Sequence, residues 1–581
     1  MSPVVRRRGA ALVALTASLG LVAGVPALSG GAAQSAEPTP DCAEPFPIAE
    51  LAAEDLVEGL TVSKGITPEP FTGEVIGVLH DGIAPGLDMV IMDLSSPEID
   101  RVGGIWAGMS GSPVYADDGR LIGAVAYGLA YGASPVAGIT PFEEMDDYLT
   151  DTAGRPGTIK VGKGLADKIA RGSDVTVRQA AQGFTQLPMA LGVSGLTAKR
   201  LAQGQDADRD YLGQRDTYVV GRAGGAAGPD ESTIVAGGNL AAALAYGDIT
   251  AAGVGTATSV CDGRVVGFGH PMTFGGTTTL SLHPADALYV QEDSLGVPFK
   301  VANIGDRAGT ITDDRLTGIT GGFGEFPVTT TITSTVTMGE RDREGSTYVN
   351  IPAAAAEMTF LEHLANHDRV VDGIIGGSAA QSYTITGTDA DGSAFEITFD
   401  DRFQSSSDIT FDSAFDVADI VWGLTSIEGV TVDSVTMHSD VSADKSAYSI
   451  TAVQQRKNGE WVKVTGKAPA TVKAGHTLKL RAVLSGPSGT KYAGYSFDVP
   501  KRYHDKKGFV YVSGGNWMWS EAPWQPTVAK IAKAVEAQVR NDETQAQFSI
   551  SNNKGEHVKT IVSGAFDKVV NGDRRVKVLV K

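Results

Sequence analysis

The sequence predicts a mainly β protein, and three observations lead to that expectation. Glycine accounts for 72 of the 581 residues, about 12% of the chain against a usual ~7%. Short apolar and β-branched runs, as in residues 74–79, 89–92 and 121–126, are separated by Gly, Pro and Asp. This spacing is typical of strands joined by tight turns. From about residue 430 to 515, strand and turn patterns alternate throughout, as in a β-sandwich.

Composition and charge narrow the class of protein. Hydrophobic residues are 42% and charged residues 20% of the chain, which excludes a wholly disordered protein. The formal net charge is −20. Because like charges repel at long range, nucleic acid and anionic membrane surfaces are not expected as partners.

The first 36 residues have the layout of a secretory signal peptide. Arg6, Arg7 and Arg8 precede an uncharged apolar stretch over residues 10–28, and small residues follow over 30–36. This layout predicts export and cleavage. The apolar run is also long enough to span a bilayer, so an uncleaved anchor is the alternative. No later segment has 18 uninterrupted apolar residues, so we expect no membrane span after cleavage and a secreted or cell-envelope location.

Two cysteines occur in the whole chain, Cys42 and Cys261. In an oxidising compartment they can pair and tie the mature N-terminus to the middle of the chain. The alternative is two separate buried thiols. The residues themselves leave both open.

Composition and pattern divide the chain into five regions. Residues 151–190 are polar and glycine-bearing, which predicts a linker, and residues 48–60 suggest a short helix. An amphipathic pattern over 526–540 predicts a second, C-terminal helix. The five predicted regions are a signal peptide (1–36), a β lobe containing Ser110 (37–150), a linker and second β lobe containing His270 (151–338), a mixed α/β connecting region (339–429) and a β-sandwich-like domain with one amphipathic helix (430–581).

The segment that predicts chemistry is the string GMSGSP over residues 108–113. Gly108 and Gly111 permit backbone torsions that a side chain would block, so amides near Ser110 can converge on a developing oxyanion. We therefore expect Ser110 as a nucleophile, with the Gly108 and Ser110 N–H groups as oxyanion donors. The alternative interpretation is an ordinary glycine-rich turn.

A nucleophilic serine needs a base, and His270 is the favoured candidate. It follows an apolar strand and lies between Gly269 and Pro271, a setting that fixes the backbone and presents the imidazole. His80 ends a strand before a turn and is a weaker candidate. His363 and His367 are four apart on a predicted helix, but no Glu follows His363, as a metalloprotease helix requires. We expect no metal ion and no cofactor.

Residues 71–148, with GMSGSP at their centre, resemble the SpoIVB-type serine peptidases, peptidase family S55. The strings GFGH over 267–270, GTITDDR over 309–315 and GITG over 318–321 are similar to the histidine region of the same family. The resemblance implies a serine peptidase with Ser110 as nucleophile and His270 as general base. It also implies a trypsin-like double β-barrel, followed here by the β-rich C-terminal region.

Two features depart from that family. The histidine region precedes the serine region in the sporulation peptidase, whereas Ser110 precedes His270 here, so the two halves must pack in a permuted arrangement. Triads are defined by geometry and recur in several chain orders. The position of the family's aspartate corresponds to about residues 95–97 here, which contain no acid. The remaining candidates are Asp93 and Asp314, with Asp88 and Asp100 nearby, or the site is a dyad.

The leading functional hypothesis is an exported serine endopeptidase that acts on an extracytoplasmic protein or peptide, or on itself. The alternative from another class is a catalytically inactive envelope protein that binds through its β-sandwich and a tryptophan cluster at Trp517, Trp519 and Trp524. A small-ester hydrolase is weaker, because a strand–hairpin follows Ser110 instead of the strand–serine–helix elbow of that class.

Overall fold

A computed structural model describes residues 42–130, 132–146, 158–187, 191–206, 217–218, 228–293, 297–517, 520–553 and 555–581. The predicted signal peptide lies outside the described residues. The prediction of a mainly β fold with a double-barrel core is confirmed, because the chain forms two closed six-stranded antiparallel barrels followed by further sheets.

The first barrel contains Ser110. Its strands follow the order β1-β2-β3-β6-β5-β4, and β4 also pairs with β1, which closes the barrel. Strand β5 is buried along its whole length, as its continuous apolar sequence requires. Ser96 caps helix α1 by accepting a hydrogen bond from Ile99 N, and Gly103 ends it with a φ of 82°. The elements are β1 (Leu56–Thr61), β2 (Glu69–Ala84), β3 (Leu87–Ser95), α1 (Pro97–Val102), β4 (Pro113–Tyr115), β5 (Leu121–Leu129), β6 (Val136–Pro141) and α2 (Phe142–Asp146).

The linker predicted over 151–190 is wrong for its described part, residues 158–187. That part folds as α3 (Lys163–Gly172), α4 (Val177–Ala180) and β7 (Phe184–Gln186). Strand β7 pairs antiparallel with β5 of the first barrel. Ile169 and Phe184 join a hydrophobic core with residues of β2, β3 and β5, so this segment is a layer on the first barrel. The helix predicted over 48–60 is also wrong, since only a 3₁₀ turn forms there, before β1.

The second barrel contains His270 and closes in the order β10-β13-β15-β16-β12-β11. Alanines dominate the facing strands β10 and β11, and these are buried almost throughout. The elements that lead into and form this half are β8 (Leu191–Val193), α5 (Ala198–Asp206), β9 (Thr217–Tyr218), β10 (Asn239–Gly247), β11 (Ala251–Cys261), β12 (Arg264–Gly267), β13 (Gly276–Gln291), β14 (Phe299–Ile304), β15 (Gly309–Arg315) and β16 (Gly318–Phe323).

The region predicted as a connecting segment extends the sheet of the second barrel. Strand β18 pairs with β10, and the sheet continues through β17, β21, β19 and β20. Strand β21 lies in the region predicted as the sandwich (430–581), but it pairs parallel with β17 and antiparallel with β19. Helix α6 packs against this extension and is buried on almost every side. The elements are β17 (Thr330–Met338), β18 (Arg341–Val349), α6 (Ala355–Val371), β19 (Gly377–Thr388), β20 (Ala394–Ser405), α7 (Ile409–Asp412), α8 (Phe415–Thr425) and β21 (Thr431–Ser442).

The C-terminal sandwich consists of two five-stranded sheets around one shared apolar core. Helix α9, the amphipathic helix predicted over 526–540, turns its apolar face to the core that contains α6 and α8. The elements are β22 (Tyr448–Lys457), β23 (Glu460–Lys463), β24 (Ala470–Val472), β25 (Thr477–Gly486), β26 (Gly489–Asp498), β27 (Lys507–Gly514), α9 (Val528–Glu536), β28 (Thr544–Asn552), β29 (Gly555–Ser563), β30 (Val570–Asn571) and β31 (Asp573–Val580).

The two cysteines are paired in the structure, where Cys42 and Cys261 form a disulfide. The alternative of two separate buried thiols is therefore wrong. The segment after Cys42 runs beside the first barrel, where Leu121 N donates to Glu44 O and Phe46 N donates to Leu121 O, both at 2.9 Å. Cys261 ends β11 of the second barrel. The disulfide therefore links a segment held by one barrel to a strand of the other. No helix in the described part of the chain combines the length and apolarity needed to cross a membrane.

We expect this disulfide to stabilise the fold, because it closes a loop of 219 residues in the unfolded chain. Removal of a long-loop disulfide typically lowers the free energy of unfolding by about 2–5 kcal/mol. Urea unfolding of the oxidised protein with and without reductant measures the loss. The double variant Cys42→Ser/Cys261→Ser is the control. It should match the reduced protein and not respond to reductant, and a reductant effect that persists in it would contradict the assignment.

Candidate active site

The Ser110 loop joins α1 to β4 and owes its shape to two glycines. Gly108 and Gly111 have φ values of 101° and 96°, in the left-handed region that disfavours side chains. Ile105 N donates to Ser134 O at 3.0 Å, just before β6, and Gly111 N donates to Val125 O of β5 at 2.8 Å. The loop is thus fixed at both ends to its own half of the molecule.

The second barrel holds the other side of this loop. Thr256 of β11 donates its backbone N–H to Ser110 O at 2.8 Å and its hydroxyl to Gly108 O at 3.1 Å. Thr258 donates its hydroxyl to Gly111 O at 2.8 Å. A Cβ atom on Gly111 would lie 1.9 Å from Thr256 O. Only glycine fits at this contact, so the close approach of β11 explains the second glycine of the motif.

The neighbouring serine has a different role. The Ser112 hydroxyl is buried and lies 2.9 Å from Thr61 Oγ1 of the first barrel and 3.4 Å from Thr256 Oγ1 of the second. It lies in a network beneath the loop, as expected if Ser110 alone is the nucleophile.

His270 is presented by a strained turn after β12. Phe268 and Gly269 both have left-handed backbones, with φ values of 71° and 68°. Such a conformation at a non-glycine residue is unfavourable and persists where the surroundings enforce it. Thr140 of the first barrel donates its hydroxyl to Gly269 O at 2.6 Å. The turn is therefore held from the Ser110 side of the molecule as well.

The structure brings Ser110 and His270 together across the two barrels. The His270 Nε2 atom lies 2.8 Å from Ser110 Oγ, although the residues are 160 apart in sequence. Ser110 is 3% exposed and His270 is fully buried. A hydroxyl and an imidazole at this separation can pass a proton from serine to histidine as the oxygen attacks an acyl carbon.

The backbone amides predicted as oxyanion donors lie next to the Ser110 hydroxyl in the chain. The backbone N–H groups of Gly108 and Ser110 donate no hydrogen bond to any described residue, while both residues are buried. Buried N–H groups are nearly always paired in folded proteins. Two unpaired donors beside a nucleophilic hydroxyl fit a site that binds an oxyanion when substrate is present.

The candidate acids are not joined to His270 by any hydrogen bond between described residues. Asp314 accepts from Met272 N at 2.7 Å and Thr273 N at 2.6 Å, and also from the Thr273 hydroxyl. It therefore clamps the turn that follows His270 and Pro271, and its role is to position the loop.

Asp93 lies on β3 and lines a separate cavity of about 900 Å³ with Glu58 and Glu74. Burial, with Asp174 and Glu74 nearby, raises the pKa of Asp93 to about 6. Its Oδ1 atom has no hydrogen-bond partner in the described structure. Asp100 is exposed on α1, and Asp88 accepts from His80, which is exposed and belongs to that surface pair.

Gln186 contacts the His270 ring, and the sequence did not indicate this contact. The Gln186 Nε2 atom lies 2.8 Å from His270 Nδ1 and 2.7 Å from Pro271 O. Pro271 O is itself 2.9 Å from His270 Nδ1. In the tautomer with the proton on Nδ1, the ring donates a hydrogen bond to Pro271 O and Nε2 is free to act as base. Pro271 O can then orient the imidazole as a carboxylate does in a triad.

A second residue not found from the sequence is Lys300. Its backbone N–H donates to Ala107 O at 2.9 Å, and a Cβ atom on Gly108 would lie 2.8 Å from Lys300 Cβ. Its amine is buried and donates to Asn239 Oδ1 at 2.8 Å. Burial lowers the pKa of Lys300 to about 7. Its side chain thus supports the loop that contains the oxyanion donors.

The remaining predicted groups are structural. His363 and His367 are buried in α6 with stacked rings. The two ring nitrogens of His367 are hydrogen-bonded within the core, to His363 O at 2.8 Å and to Ser439 Oγ at 2.9 Å. Burial lowers the pKa of both histidines. Trp524 packs edge-on against Trp422, whereas the side chains of Trp517 and Trp519 lie outside the described part of the structure.

No family model, curated protein or solved structure matches this chain. The resemblance to the SpoIVB-type peptidases therefore stays a prediction from the motifs.

Lys300→Met should raise the free energy of unfolding, and the gain should shrink as pH rises. Below pH 7 Lys300 is charged in both the folded and unfolded chain, so the penalty for burying the charge is fully present. Between about pH 7 and 10.5 the unfolded chain binds the extra proton, so the stability of the wild type rises with pH. The free energy of unfolding of the variant minus that of the wild type should fall by up to about 1.4 kcal/mol per pH unit. Urea unfolding of both proteins at pH 7 and 9 measures it, and a constant difference would contradict the lowered pKa.

Proposed function

We propose that this protein is an exported serine endopeptidase with Ser110 as nucleophile and His270 as general base. The observation that carries the proposal is the 2.8 Å contact between Ser110 Oγ and His270 Nε2. Each residue is held by its own barrel. Gly108 and Gly111 on either side of Ser110, and Phe268 and Gly269 before His270, have left-handed backbone conformations. The resemblance of GMSGSP and GFGH to peptidase family S55 supports the same assignment.

The chemistry follows from these positions. Ser110 Oγ attacks the carbonyl carbon of a peptide bond, and His270 Nε2 accepts the hydroxyl proton. The negative charge that develops on the carbonyl oxygen is stabilised by the N–H groups of Gly108 and Ser110. One such donor is typically worth about 10²–10³ in rate. His270 then gives its proton to the leaving amine, and a water molecule releases the acyl group by the same steps in reverse.

The proposed substrate is an extracytoplasmic polypeptide or the protein itself. The predicted signal peptide supports export, and the Cys42–Cys261 disulfide fits an oxidising compartment, where such bonds persist. The β-rich C-terminal region would then present or dock substrates.

One observation favours the second candidate, an inactive envelope protein on the same scaffold. Ser110 and His270 are 3% and 0% exposed, so a substrate cannot reach them in this conformation. A peptidase of this structure must therefore open before it acts, whereas a binding protein need not.

Ser110→Ala should abolish proteolysis while the fold is retained. The change removes one hydroxyl and one hydrogen bond, which typically lowers the free energy of unfolding by about 1 kcal/mol. Loss of the nucleophile should reduce the rate by several orders of magnitude, and His270→Ala should do the same. Cleavage of an unfolded protein substrate, or self-processing, is measured alongside the melting temperature.

Ser112→Ala is the matched control. It removes a hydroxyl two residues from Ser110 that contacts Thr61 and Thr256 instead of His270. It and His80→Ala should keep activity within a few-fold of wild type. Equal activity in wild type and Ser110→Ala, at an unchanged melting temperature, would favour the inactive binding protein.

A further inference from the structure

Strand β7 pairs with residues 127–129 of β5, beyond the part of β5 that pairs with β4, and lies close to the Ser110–His270 pair. Gln186 is opposite Tyr127 and Thr185 is opposite Gly128 in antiparallel register. The pairing continues beyond the strand, since Leu187 N donates to Ala126 O at 2.9 Å. An extended peptide that binds by adding a strand to a sheet edge makes this set of backbone hydrogen bonds.

Leu187 occupies a pocket at the base of the Ser110 loop. A Cβ atom on Gly128 would lie 3.1 Å from Leu187 Cδ2 and 3.6 Å from Ile105 Cδ1. Leu187 is 1% exposed and shares its core with Trp106 and Met109, which also belong to the loop. The missing side chain at Gly128 makes the space that Leu187 fills.

The preceding residue of the strand contacts the histidine. The half-buried Gln186 amide lies against His270 Nδ1 and Pro271 O. Because Pro271 O can only accept, the amide nitrogen faces it, and its second N–H is directed to Nδ1. While Gln186 donates to Nδ1, the ring proton is on Nε2, where it is donated to Ser110 Oγ, and His270 cannot take the serine proton. When Gln186 leaves, Pro271 O, which lies 2.9 Å from Nδ1, can accept from Nδ1 instead, and Nε2 is then free to act as base.

We propose that residues 184–187 occupy the substrate groove of the enzyme as an internal, uncleaved mimic of substrate. This inference rests on the proposed peptidase function. A substrate would pair with the same edge of β5 and place a leucine-sized aliphatic side chain between Ile105 and Gly128, just before the scissile bond. The oxyanion donors Gly108 and Ser110 make no hydrogen bond to the strand, so the strand fills the groove without entering the reactive geometry. It also accounts for the burial of the site.

A binding experiment that needs no catalysis tests this assignment. The probe is a fluorescein-labelled hexapeptide with the sequence of residues 182–187, and its Kd is measured by fluorescence polarisation in a Ser110→Ala background. Leu187→Ala weakens the internal strand, so we expect it to bind the peptide at least tenfold tighter than Ser110→Ala alone. A peptide with Asp in place of the terminal Leu should bind at least tenfold weaker, because the pocket is apolar.

Leu165→Ala is the matched control, since it makes the same substitution in α3 of the same segment, away from the groove. It should leave peptide affinity unchanged. If Leu187→Ala does not fold, the same peptide affinity is measured for Gln186→Ala. Gln186 is half-buried, and its loss removes only the contacts with the histidine turn. Affinity equal to that of the Leu165→Ala control would overturn the proposal. For the hydrolysis arm, the same hexapeptide carries a C-terminal coumarin amide after its leucine, which supplies the scissile bond. Binding of this peptide without coumarin release by the Ser110 form of the opened variant would count against the peptidase function alone.

Discussion

The contact between the Ser110 loop and strand β11 is the constraint on which the site depends. Gly111 approaches Thr256 O so closely that no side chain can be accommodated, and Thr256 binds the loop through both its amide and its hydroxyl. This contact joins the two barrels at Ser110. Strand β11 leads directly into β12, which ends at the histidine turn. The same strand pair therefore fixes both reacting side chains, and their separation follows from the register of one hairpin.

This arrangement explains why chain order is unimportant for the geometry. Ser110 lies in the first barrel and His270 in the second, the reverse of the order in the family that the motifs resemble. The histidine turn is tied to the serine barrel by the Thr140 hydroxyl, and the serine loop is tied to the histidine barrel by Thr256. Ser110 and His270 are thus each held by the other barrel as well as by their own. Such reciprocal contacts depend on how the barrels meet, whichever comes first in the chain.

The loops around Ser110 and His270 could be singled out from the sequence because their backbone requirements are local. Left-handed backbone at Gly108, Gly111 and Gly269 appears in the sequence as glycine within two residues of Ser110 or His270. The function of Asp314 could not be predicted in this way. Its carboxylate meets the turn after His270 because Asp314 pairs with Gly276 across β13 and β15, and that register is a property of the folded sheet. An aspartate close to a histidine in space can orient it, or can hold the loop that contains it, and the sequence pattern is the same in both cases.

The sequence predicts a linker where α3, α4 and β7 form, for a related reason. The elements of this segment are short and its composition is polar, so its strongest local signal is a capping box between Thr176 and Gln179. What makes β7 important is its pairing with β5, a contact between residues about 60 apart that no local pattern encodes.

The Ser110 hydroxyl, the His270 imidazole and β7 come from three separately encoded parts of the chain. A chain whose barrels have not yet docked has no serine–histidine pair, and a chain whose barrels have docked has the groove already filled. If the site is catalytic, the folded protein is therefore latent as it forms, and activity requires displacement of β7 while the contact between the barrels remains intact.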